Sequence, residues 1–156
     1  MARYLISGLL VLLALSSSSQ AATCRPTALD MLGPFYKPGA PIRPSVGEGY
    51  LLQGTVRSSQ DCSPVSAAVI EFWLAGPEGP YDDAHRATVI ADAAGAYRFE
   101  SNLPHPVEGR PPHIHIRVSA KGFQTLITQH YPEAGQAKAM FDLVLVPSQS
   151  PLPESK

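Results

Sequence analysis

From residue 50 onward the chain is built of short β-branched and aromatic runs, each closed by turn residues. The runs are "YLLQGTVRS", "AAVIEFWLA", "ATVIADAAGAYRFES", "HIHIRVSAKGFQTLIT" and "MFDLVLVP". Between them lie "SSQDCSP", "GPEGPYDD", "NLPHPVEGRPP" and "YPEAGQ". Sixteen prolines and twelve glycines make long helices improbable, and only "PEAGQAKAM" hints at a helical turn. The pattern predicts an all-β fold, a β-sandwich with long functional loops over residues 49–147. No internal repeat is visible. Residues 22–48 are rich in Pro and Gly with no sustained period. Leu29, Leu32, Phe35 and Tyr36 are too apolar for a free linker, so this stretch is expected to be an ordered arm wrapping the core. Residues 148–156 are polar and Pro-rich and are expected to be disordered.

Composition narrows the partners. The chain has 156 residues, enough for one domain with a real core. Twelve Lys and Arg against thirteen Asp and Glu leave a net charge of -1, with no basic stripe for nucleic acid and no polybasic membrane patch. Residues 1–21 carry a basic start at Arg3, an apolar run from Leu9 to Leu15 and small residues at Ser19 and Ala21. They read as a cleaved signal peptide, with a run too short to span a bilayer, so the product is expected to be secreted or periplasmic without stable membrane insertion. A lipoprotein reading of Cys24 is disfavoured by Thr23. In an exported chain the two cysteines, Cys24 and Cys62, are expected to form one disulfide tying the arm to the "SSQDCSP" loop.

The stretch "RPPHIHIRV" carries the candidate chemistry. On a strand His113 and His115 share one face while Ile114 and Ile116 take the other, so both imidazoles can reach one cation. The pair alone names no metal, since neutral imidazole suits Zn, Cu, Fe and Ni, and a half-exposed strand with a polar face would look the same. Arg110, three residues upstream, disfavours protonation of the imidazoles and suits an anionic substrate. His105 makes a third histidine within eleven residues. Tyr81, in the Gly/Pro turn after "VIEFWLA", is a candidate third ligand, because a metal cation can drive off a phenolic proton whose ordinary pKa is about 10.

With "TALDMLGPFY", "LLQGTV", "CSPVSAAVIEFWLAGPEGPY", "ADAAGAYRF", "RPPHIHIRV" and "TLITQHYPE" in this order, the chain resembles the intradiol ring-cleavage dioxygenases. That is the family of catechol 1,2-dioxygenase and protocatechuate 3,4-dioxygenase, and the chain looks like its small secreted branch. The resemblance implies a prealbumin-like β-sandwich core and one Fe(III) per chain, held by His113, His115 and the tyrosinate of Tyr81. It also implies that Arg110 stabilises charge on the substrate ring and that Gln129 stands near the metal. The implied reaction takes a small aromatic diol and O2 to a muconate-type diacid.

One family ligand has no match: a second, labile tyrosine expected shortly before the histidine pair. No tyrosine occurs between Ser101 and Arg110. His105 is the nearest candidate for ligand and base, though Pro106 or Val107 can align there instead. Water in the position, or lost catalysis, are the other readings. Replacing a tyrosinate by a neutral imidazole removes one negative charge, which makes copper the alternative metal. A non-catalytic secreted module binding iron, copper or catechols is the alternative function. Without the family's N-terminal helices, the chain is expected to be a monomer or a homodimer.

Overall fold

The computed structural model describes residues 24–107 and 109–148, so the expected signal peptide and nearly all of the expected disordered tail lie outside the described residues. Two four-stranded sheets face each other. One contains β1 (Tyr50–Ser58), β4 (Ala96–Ser101), β7 (Lys138–Met140) and β8 (Leu143–Leu145), with β1 pairing all three others. The second runs in the order β3 (Arg86–Ile90), β2 (Val69–Leu74), β5 (Ile114–Ser119), β6 (Leu126–His130). The chain is all-β apart from a 3-10 turn at Asp83–His85, capped by the Asp82 carboxylate. No helix among the described residues is long and apolar enough to cross a membrane.

Period-two patterning builds the core. Along β1 the residues Tyr50, Leu52, Val56 and Ser58 are buried and their neighbours are not. Ile70, Phe72 and Leu74 of β2 and Ile114, Ile116 and Val118 of β5 point into the same layer. There Phe72 stacks on Phe99 of the opposite sheet, with centroids 4.2 Å apart. The long run "ATVIADAAGAYRFES" is split at Asp92–Gly95. Asp92 Oδ1 accepts from the amides of Ala94 and Ala96, and the two resulting strands join different sheets. The helical turn suggested by "PEAGQAKAM" is confined to a tight turn closed by Gln136 N donating to Glu133 O. Its end forms β7 instead, because parallel pairing of Lys138–Met140 with Leu51–Gln53 satisfies that backbone.

The arm is ordered without forming a strand of its own. It begins at the Cys24–Cys62 disulfide. Thr27 N then donates to Val144 O, and Asp30 N to Ile127 O on the edge strand β6. It crosses the outer face of the second sheet and reaches the opposite edge, where Thr88 N donates to Pro41 O and Arg43 N to Thr88 O. Val46 N donates to Glu100 O on β4. Both edges of the second sheet are thereby covered. The outer face of that sheet is covered too, and the candidate site residues lie there.

Candidate metal and catechol site

β5 carries core-facing Ile114, Ile116 and Val118 on one side and His115 on the other, with His113 standing one residue ahead of the strand. Both imidazoles are nonetheless buried, at 3% and 2% exposure, because the arm lies over them. His115 is held between two planes. The Trp73 indole stacks on it with centroids 5.0 Å apart and 6° between planes. From the other direction, Gly33 approaches so closely that a Cβ there would stand 2.8 Å from His115 Cε1. Gly33 also has φ +74°, a left-handed conformation that glycine adopts without steric cost. The two histidine rings meet edge to face at 4.8 Å.

Burial holds the His115 pKa down at about 4. The neighbouring His113 and Arg110 push the same way, while the Met31 backbone and Asp30 oppose the shift. The ring is therefore neutral near neutral pH, the form a metal requires. Its Nδ1 is buried without a well-formed hydrogen bond. For His113 the tautomer follows from geometry. Nδ1 lies 2.8 Å from Pro111 O and can only donate to it, which turns Nε2 toward the cleft. Tyr81 Oη sits 3.0 Å from that Nε2.

Tyr81 is presented by a loop folded on itself, with Gly76 N donating to Pro80 O and Gly79 N to Gly76 O. Its ring stacks on Phe35 of the arm, with centroids 4.4 Å apart. Two donors each about 2 Å from one ion are about 3 Å apart, so the Tyr81–His113 separation is what a shared cation needs. No group of three His, Cys, Asp or Glu is gathered among the described residues, and the Tyr81 phenol is the oxygen that stands beside His113. Two imidazole nitrogens and a phenol oxygen are a donor set that fits Fe(III) and, by intrinsic affinity, Cu(II).

Around these donors the cleft is lined by Pro34, Phe35, Val107 and Arg110. Arg110 Nη2 donates to Gln129 Oε1 at 2.7 Å and to Tyr131 Oη at 2.9 Å, and Nη1 lies 3.5 Å from His113 Nε2. Buried Gln129 pairs opposite His115 across β5 and β6. Tyr81, Arg110, His113, His115 and Gln129 are thus gathered in one place. His105 is not. It is exposed beside Gly79, and Val107 lines the cleft instead. The reason is local: Pro104 is buried, and Arg110 N donates to Val107 O at 2.9 Å. This closes a turn that brings Val107 inward and leaves His105 out.

Inspection of the sequence alone passes over Asp30, Gly33, Trp73 and Tyr131. Only Tyr131 carried a signal there, as the last residue of the "TQHY" segment.

A family model described as dioxygenase matches residues 39–149. Chlorocatechol 1,2-dioxygenase of Pseudomonas sp. (strain P51) is 29% identical over 150 residues, covering 74% of this chain and 59% of its own. Catechol 1,2-dioxygenase of Candida albicans is 31% identical over 143 residues, covering 67% of this chain and 46% of its own. Among solved structures, the dioxygenase domain of a dioxygenase carbohydrate-binding fusion from Streptomyces sp. SirexAA-E superposes with a TM-score of 0.72 at 28% identity. That match covers 80% of this chain and all of that one. The chain spans under two thirds of the length of these two relatives. On the strength of a model match running from the arm to the last strand, this chain belongs to the intradiol ring-cleavage dioxygenase family.

Proposed function

We propose that the protein is an exported non-haem Fe(III) intradiol dioxygenase that cleaves catechol-type aromatics with O2 to muconate-type diacids. The observation that carries this is the convergence of Tyr81 and His113 at 3.0 Å beside His115, with the Arg110 guanidinium next to them. Export is supported by the Cys24–Cys62 disulfide, a bond that persists in oxidising compartments.

Tyr81, His113 and His115 would hold the metal. When bound, Fe(III) supplies the Lewis acidity that makes a chelated catecholate susceptible to O2. The protein's own part is electrostatic and steric. Arg110 faces the cleft with a fixed positive charge that stabilises negative charge developing on the diol ring. Pro34, Phe35 and Val107 give the ring an apolar bed that keeps water away from it. Gln129 holds Arg110 through its Oε1. Because Val107 rather than His105 lines the cleft, His105 would not hold the metal, and the proton that a catechol loses on binding would pass to solvent.

The test is to purify the exported chain, measure bound iron and copper, and record the visible tyrosinate band before and after catechol while following oxygen uptake. Iron, a band that shifts with catechol, and uptake are expected. Bound metal with no uptake across a panel of catechols would instead support the non-catalytic binding module.

A further inference from the structure

Arg110 projects from a loop, and its two short side-chain hydrogen bonds both lead to β6 and the residue just after it, Gln129 and Tyr131. Those two are themselves held by the arm. Tyr131 Oη lies 2.9 Å from Asp30 Oδ2, and Gln129 Nε2 donates to Met31 O at 2.7 Å. Tyr131 Oη is also 3.2 Å from Gln129 Oε1, but a phenol has one proton, and the nearer, charged carboxylate takes it. Donation to Asp30 leaves the Tyr131 oxygen presenting its lone pairs to Arg110. Gln129, whose amide is fixed by the Met31 carbonyl, presents its own oxygen to the same nitrogen. Asp30 makes no direct ion pair with Arg110 among the described residues. Its influence runs chiefly through the phenol at 2.9 Å, with a longer contact of 3.5 Å from Gln129 Nε2 to Asp30 Oδ1 as the minor route. Tyr131 is 40% exposed, where a polar contact adds little to stability. A chain of charge-assisted bonds at that place has a use if the guanidinium must be aimed.

We infer that Asp30 and Tyr131 are positioning residues, an arm-borne carboxylate and its phenol relay that aim Arg110 at the catecholate. The inference rests on the intradiol reading above. It makes the arm part of the active site's electrostatics, since the aim of a cation on β5's approach loop is set by a residue eighty positions earlier.

The test is a mutant cycle on the iron-loaded full chain. Asp30→Asn, Tyr131→Phe and Arg110→Ala are made singly, and Asp30→Asn is also combined with each of the other two. The readouts are the affinity for 4-nitrocatechol, taken from its visible band without turnover, together with kcat, KM, metal content and Tm. Arg110→Ala is expected to lower kcat about 100-fold. Asp30→Asn and Tyr131→Phe are each expected to lower kcat and 4-nitrocatechol affinity about tenfold, as misplacement of a charged group does. Metal content and Tm should be unchanged. Asp30→Asn should add less than about twofold in the Arg110→Ala or Tyr131→Phe background, because the three act as a unit.

Additive losses, or a loss that tracks Tm, mean that Asp30 merely docks the arm and overturn the inference. So does an Asp30→Asn protein that binds 4-nitrocatechol like the wild type. A wild-type protein that binds catechols without turning them over defeats only the catalytic reading, and the cycle is then read on binding. A wild-type protein that neither binds nor oxidises them defeats both.

Discussion

The tightest residue-level constraint is at Gly33, where positive φ and contact with His115 coincide. Gly33→Ala is expected to cost about 1–3 kcal/mol and to lower bound metal, because the methyl group must push the His115 ring off Trp73 or lift the arm. Thermal unfolding with metal analysis checks both effects. His105, exposed and outside the cleft, gives the opposite expectation: His105→Ala should keep metal content and turnover within about twofold, as surface substitutions do. Loss of either would return the fourth ligand to His105.

His130 supplies a pH dependence independent of the metal. Its Nε2 bonds Tyr50 Oη at 2.6 Å, and burial holds its pKa at about 4. The folded value lies below the ordinary 6.5, so its stability contribution is full above pH 6.5 and is lost as pH falls toward 4. Urea unfolding of the metal-free protein should show this slope, and His130→Gln should flatten part of it. The change should be less than the roughly 1.4 kcal/mol per pH unit of one full proton, since solvent reaches the ring's edge.

Among the elements, the arm is the one whose detachment would be felt most. It contributes Asp30, Met31, Gly33, Pro34 and Phe35 to the site, and its start is fixed by a disulfide joining residues 38 apart. Reduction, or Cys62→Ser, is expected to cost about 2–4 kcal/mol through the freed unfolded chain. It should weaken catechol affinity as well, because the wall over His115 is no longer anchored. Unfolding and optical titration with and without reductant check this. The strands behave differently. Their existence was legible from runs such as "YLLQGTVRS", where alternation and flanking turns agree. The assignment of β3 and β4 to separate sheets was not legible, since a tight turn such as Asp92–Gly95 looks the same whether its strands pair with each other or part company.

For the whole molecule, the sandwich core and the site occupy opposite faces of one sheet, which lets stability and chemistry be varied separately. Phe99→Ala, in the layer between the sheets, is expected to cost about 3–5 kcal/mol. Activity per folded molecule should stay near wild type, measured as turnover against the folded fraction by circular dichroism. The sequence by itself determined the fold class, since strand periodicity and turn chemistry are local. It also named the candidate donors His113, His115 and Tyr81 and the candidate cation Arg110, which are readable by residue type and by resemblance. Only the tertiary structure decided that Val107 and not His105 lines the cleft. The same is true of the burial of His115 between Trp73 and Gly33, and of the link from Asp30 through Tyr131 to Arg110. Those contacts join residues far apart in the chain, and their geometry depends on the path the arm takes across the sheet, which no local pattern of side chains encodes.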